Sequence, residues 1–229
     1  MNFTIKDHKI EIFGADKTGK LPFIILIGDR DEAEEVYEIV RTWCDQEFIL
    51  IAIHAKDWNS ELSPWYCDPV FKGTEAFAGK ADDFLTLIIN EILPQLNEYI
   101  NTSPSYYALC GYSLAGLFAL YSAYRCDSFQ KIVSASGSLW YPGFIEMVTK
   151  EKISKEINTV YLSLGDSEAK TRNQLMARVQ DNSEKIAAYL SQNINTVLEL
   201  NEGNHFNDPE LRIAKGIAYI LNTWWVPDP

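Results

Sequence analysis

Hydrophobic residues in this chain fall into short continuous runs separated by stretches with helical spacing. Residues 23–27 and 48–53 are uninterrupted apolar runs about one strand long, which is typical of strands buried on both faces, as in a parallel sheet. Between them, Val36, Val40 and Trp43 recur at helical spacing after an acidic first turn, which predicts a helix over residues 31–43.

The same reading applied to the rest of the chain predicts strands that alternate with helices. Further strands are predicted at residues 3–5, 10–13, 105–110, 131–134, 159–164 and 196–200. Further helices are predicted at residues 81–99 (with a kink at Pro94), 114–124, 144–149, 173–190 and 208–224. Alternation of this kind predicts an α/β fold with a doubly wound, mostly parallel sheet flanked by helices in three layers. No repeat or linker interrupts residues 1–229, so we expect a single domain.

Composition and charge narrow the classes of function. The formal net charge of −12 argues against nucleic acid as a partner, because phosphate binding needs a basic surface. The four cysteines have neither CxxC nor zinc-ligand spacing, so we expect reduced thiols in a cytoplasmic protein and no metal or cofactor. The polar start and the shortness of every apolar run predict neither secretion nor membrane insertion. Nothing in the sequence specifies an oligomeric state.

The residues that follow the predicted strand 105–110 carry the sharpest chemical signal. Residues 111–116 read Gly-Tyr-Ser-Leu-Ala-Gly and lead directly into a predicted helix. A serine between a strand and a helix, flanked by small residues, is typical of a nucleophile elbow. Ala115 stands where the usual motif has a glycine, and the alternative interpretation is an ordinary Gly-Ser turn.

Chain order then points to partners for Ser113. Hydrolases of this architecture carry the serine first, an acid next and a histidine last, and His205 follows the last predicted strand in a glycine-containing turn. His8 fits better in a solvated turn, and His54 precedes the serine. After strand 159–164 either Glu168 or Asp166 qualifies as the acid. We favour Glu168, which lies far enough past the strand to reach back, whereas Asp166 is suited to capping the turn.

The sequence also suggests where an oxyanion and a substrate would bind. The backbone N–H of Leu114 is one expected oxyanion donor, and Asp29 or Arg30, after strand 23–27, supplies the second. The Arg30 side chain is a candidate contact for an anionic substrate. Aromatic residues on loops at the same sheet edge are candidates for the substrate pocket, although packing of those loops explains them equally well: Trp58, Trp65, Tyr66, Tyr112 and Trp140.

These residues resemble a known family. Residues 111–118, 164–171 and 202–206 are similar to the nucleophile, acid and histidine segments of the putative-esterase branch of the α/β-hydrolase superfamily, which includes esterase D-like enzymes and siderophore (enterochelin) esterases. The resemblance implies an α/β-hydrolase fold, a minimal lid, and hydrolysis of carboxylic esters by Ser113, His205 and Glu168. The family's usual His-Gly before the second oxyanion donor is replaced by Ile-Gly at residues 27–28.

We therefore expect a serine hydrolase that cleaves a small ester through a Ser-acid-His triad and an acyl-enzyme. The alternatives are a non-catalytic binding or scaffold protein on the same fold, and a specialised hydrolase of siderophore lactones or thioesters. A nucleotide-binding Rossmann protein is disfavoured, because acids rather than a glycine-rich phosphate loop follow the first buried strand.

Overall fold

The main sheet has eight strands in the computed structural model, which describes residues 1–28, 32–70 and 72–222. Their bounds are β1 (Asn2–Ile5), β2 (His8–Phe13), β3 (Lys20–Gly28), β4 (Ile49–His54), β7 (Ser103–Tyr112), β8 (Lys131–Ala135), β9 (Thr159–Gly165) and β10 (Asn195–Asn201). A separate short hairpin consists of β5 (Tyr66–Cys67) and β6 (Phe77–Ala78).

The order across the main sheet is β1-β2-β4-β3-β7-β8-β9-β10. Strands β1 and β2 are antiparallel to each other, and β2 is antiparallel to β4. From β4 to β10 every neighbouring pair is parallel. The predicted α/β class with a mostly parallel sheet is confirmed. In such a sheet the carboxyl ends of the strands share one edge, which is where a binding site is expected.

The helices cover both faces of the sheet. They are α1 (Ala33–Trp43), α2 (Trp58–Glu61), α3 (Ala81–Leu87), α4 (Leu93–Gln95), α5 (Leu114–Ser122), α6 (Phe144–Lys150), α7 (Val179–Leu190) and α8 (Pro209–Leu221). Helices α1 and α8 pack on one face, and α3, α5, α6 and α7 on the other.

The continuous apolar runs are explained by burial on both faces. In β3, Ile25 and Ile27 pack into the core on the α5 side, whereas Ile24 and Leu26 pack under α1 and α8. Successive side chains of a strand point to opposite faces, so a strand covered by helices on both sides needs apolar residues at every position.

Two predicted helices differ from the observed ones. The segment predicted as one helix over residues 81–99 passes through a π-helical turn, Ile88–Ile92, before the short helix that contains Pro94. Proline has no N–H to donate and its ring displaces the preceding turn, which the wider π turn accommodates. The helix predicted from residue 173 begins as α7 at Val179, because the Asn173 side chain accepts bonds from the N–H groups of Leu175 and Met176 and forms a turn instead.

The loop between β4 and α3 contains α2 and the β5–β6 hairpin. Across the part of the chain that the structure describes, every helix is too short or too polar to cross a membrane.

Candidate active site

Ser113 lies on a strained turn between β7 and α5. Its backbone has φ 57° and ψ −120°, a conformation that costs energy for a residue with a side chain. Neighbouring backbone holds it there: the Ser113 N–H donates to the carbonyl of Ala135 at 3.1 Å, and the Ser113 carbonyl accepts from the Ser138 N–H at 2.9 Å. These two hydrogen bonds hold the strained backbone in place, so that the Ser113 hydroxyl lies beyond the end of β7.

Glycine at position 111 is required by the close approach of strand and helix. A Cβ on Gly111 would lie 2.5 Å from the backbone carbon and oxygen of Ala115. The methyl group of Ala115 occupies the same gap, so the alanine in the motif is tolerated because Gly111 has no side chain. Gly116 is also tight, since a Cβ there would lie 3.0 Å from the Cα of Gly137.

Ser113, His205 and Glu168 form a hydrogen-bonded row at the carboxyl ends of the strands. Nε2 of His205 lies 2.9 Å from Oγ of Ser113, and Nδ1 lies 2.8 Å from Oε2 of Glu168. A carboxylate accepts, so Nδ1 carries the proton and Nε2 is left to accept from the serine hydroxyl. This arrangement is the one that activates a serine nucleophile.

The carboxylate of Glu168 is buried, with a side-chain exposure of 4%. Burial alone would raise its pKa, but the hydrogen bond from His205, the positive charge of that ring when it is protonated, and the Gly165 N–H outweigh this effect and hold the pKa of Glu168 below its ordinary value. Glu168 is therefore ionised at neutral pH and oriented toward His205.

Asp166, the alternative acid, lies outside this row. Its Oδ1 accepts from the backbone N–H of Gly203 at 3.2 Å, and the residue is exposed. It connects the loop after β9 to the loop after β10, consistent with the turn-capping interpretation.

Arg212 on α8 is a residue of the site that the sequence analysis did not identify. It is 1% exposed, and its Nη1 donates to Oε1 of Glu168 at 2.9 Å. The available signal was its position among the apolar residues Ile213, Gly216 and Ile217, which form the buried face of the predicted last helix.

A cavity of about 420 Å³ opens beside Ser113 and His205. Its described lining combines aromatic and apolar side chains with two carboxylates, and consists of Trp58, Tyr112, Phe206, Pro209, Ile213, Glu32 and Glu210 in addition to the serine and histidine. Phe206 is 86% exposed at this cavity. An apolar cavity with a few converging polar groups is the usual form of a small-molecule site.

Of the predicted pocket aromatics, Trp58 and Tyr112 line this cavity and the others do not. Trp140 is 7% exposed and packs edge-on against Phe77. The Trp65 indole donates to the carbonyl of Pro142 at 2.9 Å. Tyr66 is 64% exposed, with its hydroxyl bonded to Asp68. Trp65 and Trp140 thus pack the loops onto the core, and Tyr66 faces solvent.

Of the expected oxyanion donors, the structure describes only Leu114. Leu114 begins α5, and its N–H is one of the amides at a helix start that have no intrahelical acceptor. Asp29 and Arg30 lie outside the described residues.

The other two histidines are paired with carboxylates elsewhere. His8 is 2% exposed, not solvated as expected, because it stacks on Phe84 and its Nε2 lies 3.1 Å from a carboxylate oxygen of Glu61. His54 lies 2.7 Å from a carboxylate oxygen of Glu11.

The cysteines are free thiols. Cys110, three residues before Ser113, is fully buried, and burial raises the pKa of its thiol far above the ordinary value. Within residues 1–28, 32–70 and 72–222, no group of three or more histidine, cysteine or acidic side chains is arranged to hold a metal ion.

Comparison with known proteins identifies the family. Residues 30–205 match the model of the family described as "Putative esterase". The chain belongs to this esterase family. A curated relative in sequence is YbbA of Bacillus subtilis, 25% identical over 143 residues, which span 61% of this chain and 57% of that protein.

Solved structures share the fold of this family member. An IroE-like serine hydrolase from Shewanella oneidensis superposes with a TM-score of 0.73 at 17% identity, covering 96% of this chain and 76% of that one. The siderophore hydrolase EstB from Aspergillus nidulans superposes with a TM-score of 0.74 at 16% identity, covering 100% and 96%. The α/β-hydrolase fold expected from the resemblance is confirmed.

Proposed function

We propose that this protein is a serine esterase that hydrolyses carboxylic esters of small molecules through an acyl-enzyme. One observation carries the proposal: the hydrogen-bonded row of Ser113, His205 and Glu168, with separations of 2.9 and 2.8 Å, at the wall of a cavity. Membership of the esterase family supports the same reaction class.

In the proposed reaction, Oγ of Ser113 attacks the ester carbonyl carbon while Nε2 of His205 takes the hydroxyl proton. Glu168 stabilises the imidazolium that forms. The tetrahedral oxyanion accepts hydrogen bonds from the Leu114 N–H and from a second donor, which we assign to the Asp29 backbone. His205 then gives its proton to the leaving alcohol.

The second half of the reaction repeats these roles with water. His205 takes a proton from water, whose oxygen attacks the acyl-serine, and then returns the proton to Oγ of Ser113. The products are the carboxylic acid, the alcohol and the free enzyme.

The cavity favours uncharged substrates over anionic ones. Its described lining contains the carboxylates of Glu32 and Glu210 and, among the described residues, no lysine or arginine. Of the three cations that would favour an anionic substrate at the cavity mouth, Lys56 and Arg172 are not among the lining residues, and Arg30 lies outside the described residues. The aromatic wall suits an apolar acyl or alcohol group, so we propose neutral esters rather than ferric siderophores, which are anionic, as the substrates.

The test is hydrolysis of p-nitrophenyl esters of increasing acyl length, together with labelling by a fluorophosphonate. Wild type is compared with Ser113→Ala, and Ser183→Ala is the matched control, because the Ser183 hydroxyl donates to the Val179 carbonyl within α7 and is not among the residues that line the cavity. We expect labelling and turnover in wild type and in the control, and neither in Ser113→Ala.

Absence of both labelling and turnover in folded wild type would overturn the proposal and favour the non-catalytic scaffold. A third result is labelling without turnover of p-nitrophenyl esters but with cleavage of a siderophore lactone or a thioester. It would overturn the assignment of neutral esters as substrates and leave the serine hydrolase reaction in place.

A further inference from the structure

Arg212 is buried behind the catalytic row, where it contacts the acid and three residues next to the row. Besides Glu168, its Nη1 lies 2.9 Å from Oγ of Ser136 and 3.4 Å from the hydroxyl of Tyr112. Its Nη2 donates to the carbonyl of Glu202 at 3.0 Å. One guanidinium therefore connects the acid, the strand that leads to the elbow and the loop that carries the histidine.

We propose that Arg212 is a positioning residue, which holds Glu168 in the orientation that binds His205 and compensates the buried charge of that carboxylate. The proposal rests on the esterase function proposed above. Arg212 does not contact Ser113 or the cavity, so it acts through Glu168.

The orientation part follows from how the two oxygens of Glu168 are used. Oε1 accepts from the Gly165 N–H at 2.7 Å and from Arg212 at 2.9 Å. With Oε1 held by two donors, Oε2 is left for Nδ1 of His205. Tyr112 adds a second link, since its hydroxyl donates to the His205 carbonyl at 2.8 Å.

The fold makes room for this guanidinium. A Cβ on Gly165 would lie 3.0 Å from both Nη1 and Nη2 of Arg212. Ser136, whose hydroxyl accepts from Arg212, has a backbone φ of 45°, in the region that side chains rarely adopt. Glycine at one position and a strained serine at another allow a buried arginine to reach the acid.

The electrostatic part follows from charge compensation. Without Arg212, Oε1 of Glu168 would keep the Gly165 N–H but lose its cationic donor. The buried carboxylate would then draw a proton onto the hydrogen-bonded Glu168–His205 pair more strongly, so the protonation of the pair as a whole should move to higher pH.

Other charged and titratable groups near this pair remain in place when Arg212 is replaced. Among the described residues, those that line the cavity or contact this network are Tyr112, Tyr161, Asp166, Glu32 and Glu210, none of which can carry a positive charge. The cation on the same helix, Lys215, is bound to Glu199 and Asn201.

The test compares Arg212→Met with Arg212→Lys. The chain has three histidines, so proton NMR can follow the imidazole of His205 directly, with its signal assigned by a His205→Asn variant. The acidic limb of kcat/KM gives the same pKa kinetically. Lys215→Met is the matched control: it removes a cation from the same helix, one that binds Glu199 at 2.7 Å and not the catalytic acid.

We expect Arg212→Met to raise the NMR midpoint of His205 and the acidic limb by about one pH unit, from the loss of one charge a few ångströms beyond Glu168. Arg212→Lys should leave both near wild type but lower kcat, because an ammonium cannot reproduce the fork to Glu168, Ser136 and Glu202. Lys215→Met should change neither.

An unshifted His205 midpoint in folded Arg212→Met would overturn the inference, as would full kcat in Arg212→Lys. If Arg212→Met does not fold, the lysine variant decides: a lowered kcat with an unmoved limb supports the inference, and a shifted limb contradicts it. Because the NMR titration needs no substrate, an inactive wild type would refute the esterase function without deciding this point.

Discussion

Two single variants, Glu168→Gln and Asp166→Asn, test which carboxylate accepts the hydrogen bond from Nδ1 of His205 during catalysis. In Glu168→Gln the side-chain volume is nearly unchanged, but one oxygen becomes an NH₂ group. Two donors, the Gly165 N–H and Arg212, face Oε1, so the amide oxygen must take that side. The NH₂ group then faces Nδ1 of His205.

An NH₂ group cannot accept the Nδ1 proton, so the imidazole adopts the other tautomer, with its proton on Nε2. Nε2 is the atom 2.9 Å from Oγ of Ser113, and in this tautomer it can no longer act as the base. Loss of the correct tautomer in a serine triad costs about 10⁴-fold in kcat, which corresponds to about 5.5 kcal/mol of activation free energy.

Asp166→Asn should have a much smaller effect. The bond from the Gly203 N–H to Oδ1 of Asp166 is 3.2 Å long and exposed, and an asparagine oxygen can still accept it. We expect less than about a threefold loss in kcat, about 0.6 kcal/mol.

The assay is the steady-state hydrolysis of one p-nitrophenyl ester at pH 7.5 by both variants, with thermal melting as the check on folding. A Glu168→Gln enzyme within about tenfold of wild type would refute the reasoning from tautomers. A larger loss in Asp166→Asn than in Glu168→Gln would transfer the role to Asp166.

Three further predictions concern the elbow, the cavity and stability. Gly111→Ala should lower the free energy of unfolding in urea by about 3 kcal/mol, because its Cβ would meet the backbone of Ala115 at 2.5 Å. Phe206→Ala should raise KM for long-chain esters about tenfold with little change in kcat, through loss of apolar contact. The free energy of unfolding should fall as pH drops below about 4.5, because the pKa values of Glu168 and Glu61 are lowered from 4.5 by folding, and each stabilises the fold only while ionised.

Each of these has its own control. Tyr66→Ala removes an exposed aromatic side chain that does not line the cavity, so an equal rise in KM there would show that Phe206 acts nonspecifically. An unchanged free energy of unfolding in Gly111→Ala would mean that β7 and α5 can move apart to admit the methyl group without destabilising the fold. In Glu61→Gln the decrease in the free energy of unfolding at low pH should be smaller than in wild type. An identical pH dependence would mean that Glu61 does not contribute to the acid sensitivity.

The fold could be predicted from the sequence because its signals are local and repeated. The apolar run at residues 23–27 is explained by β3, whose side chains are buried on both faces. The start of α7 was missed because the helical spacing extends over residues 173–178, where the Asn173 side chain instead caps a turn. The hydrogen bonds from two backbone N–H groups to the Asn173 side chain do not change the hydrophobic pattern, so the pattern cannot predict them.

The candidate site could be predicted only in part. Chain order predicts that Ser113, Glu168 and His205 meet at one sheet edge, and the structure places their side chains within hydrogen-bonding distance there. Arg212 was missed because it meets Glu168 across 44 positions of sequence, a contact that no spacing rule encodes. The sequence leaves both the pocket and loop packing open for Trp140, and the structure shows packing. Its loop starts at the edge where the site lies, but the direction in which a loop side chain points follows no periodic pattern.

The burial of Cys110, three residues before Ser113, makes its thiol a reporter of local opening. A thiol reacts as the thiolate, and this side chain, 0% exposed, lies under the layer that α1 and α8 form on one face of the sheet. Modification of Cys110 by a thiol reagent therefore requires that layer to open. In the native state its rate, divided by the rate for a free thiol, measures the fraction of molecules in which this face of the sheet is uncovered. Because α8 also carries Arg212, the same opening removes one of the two donors that hold Oε1 of Glu168.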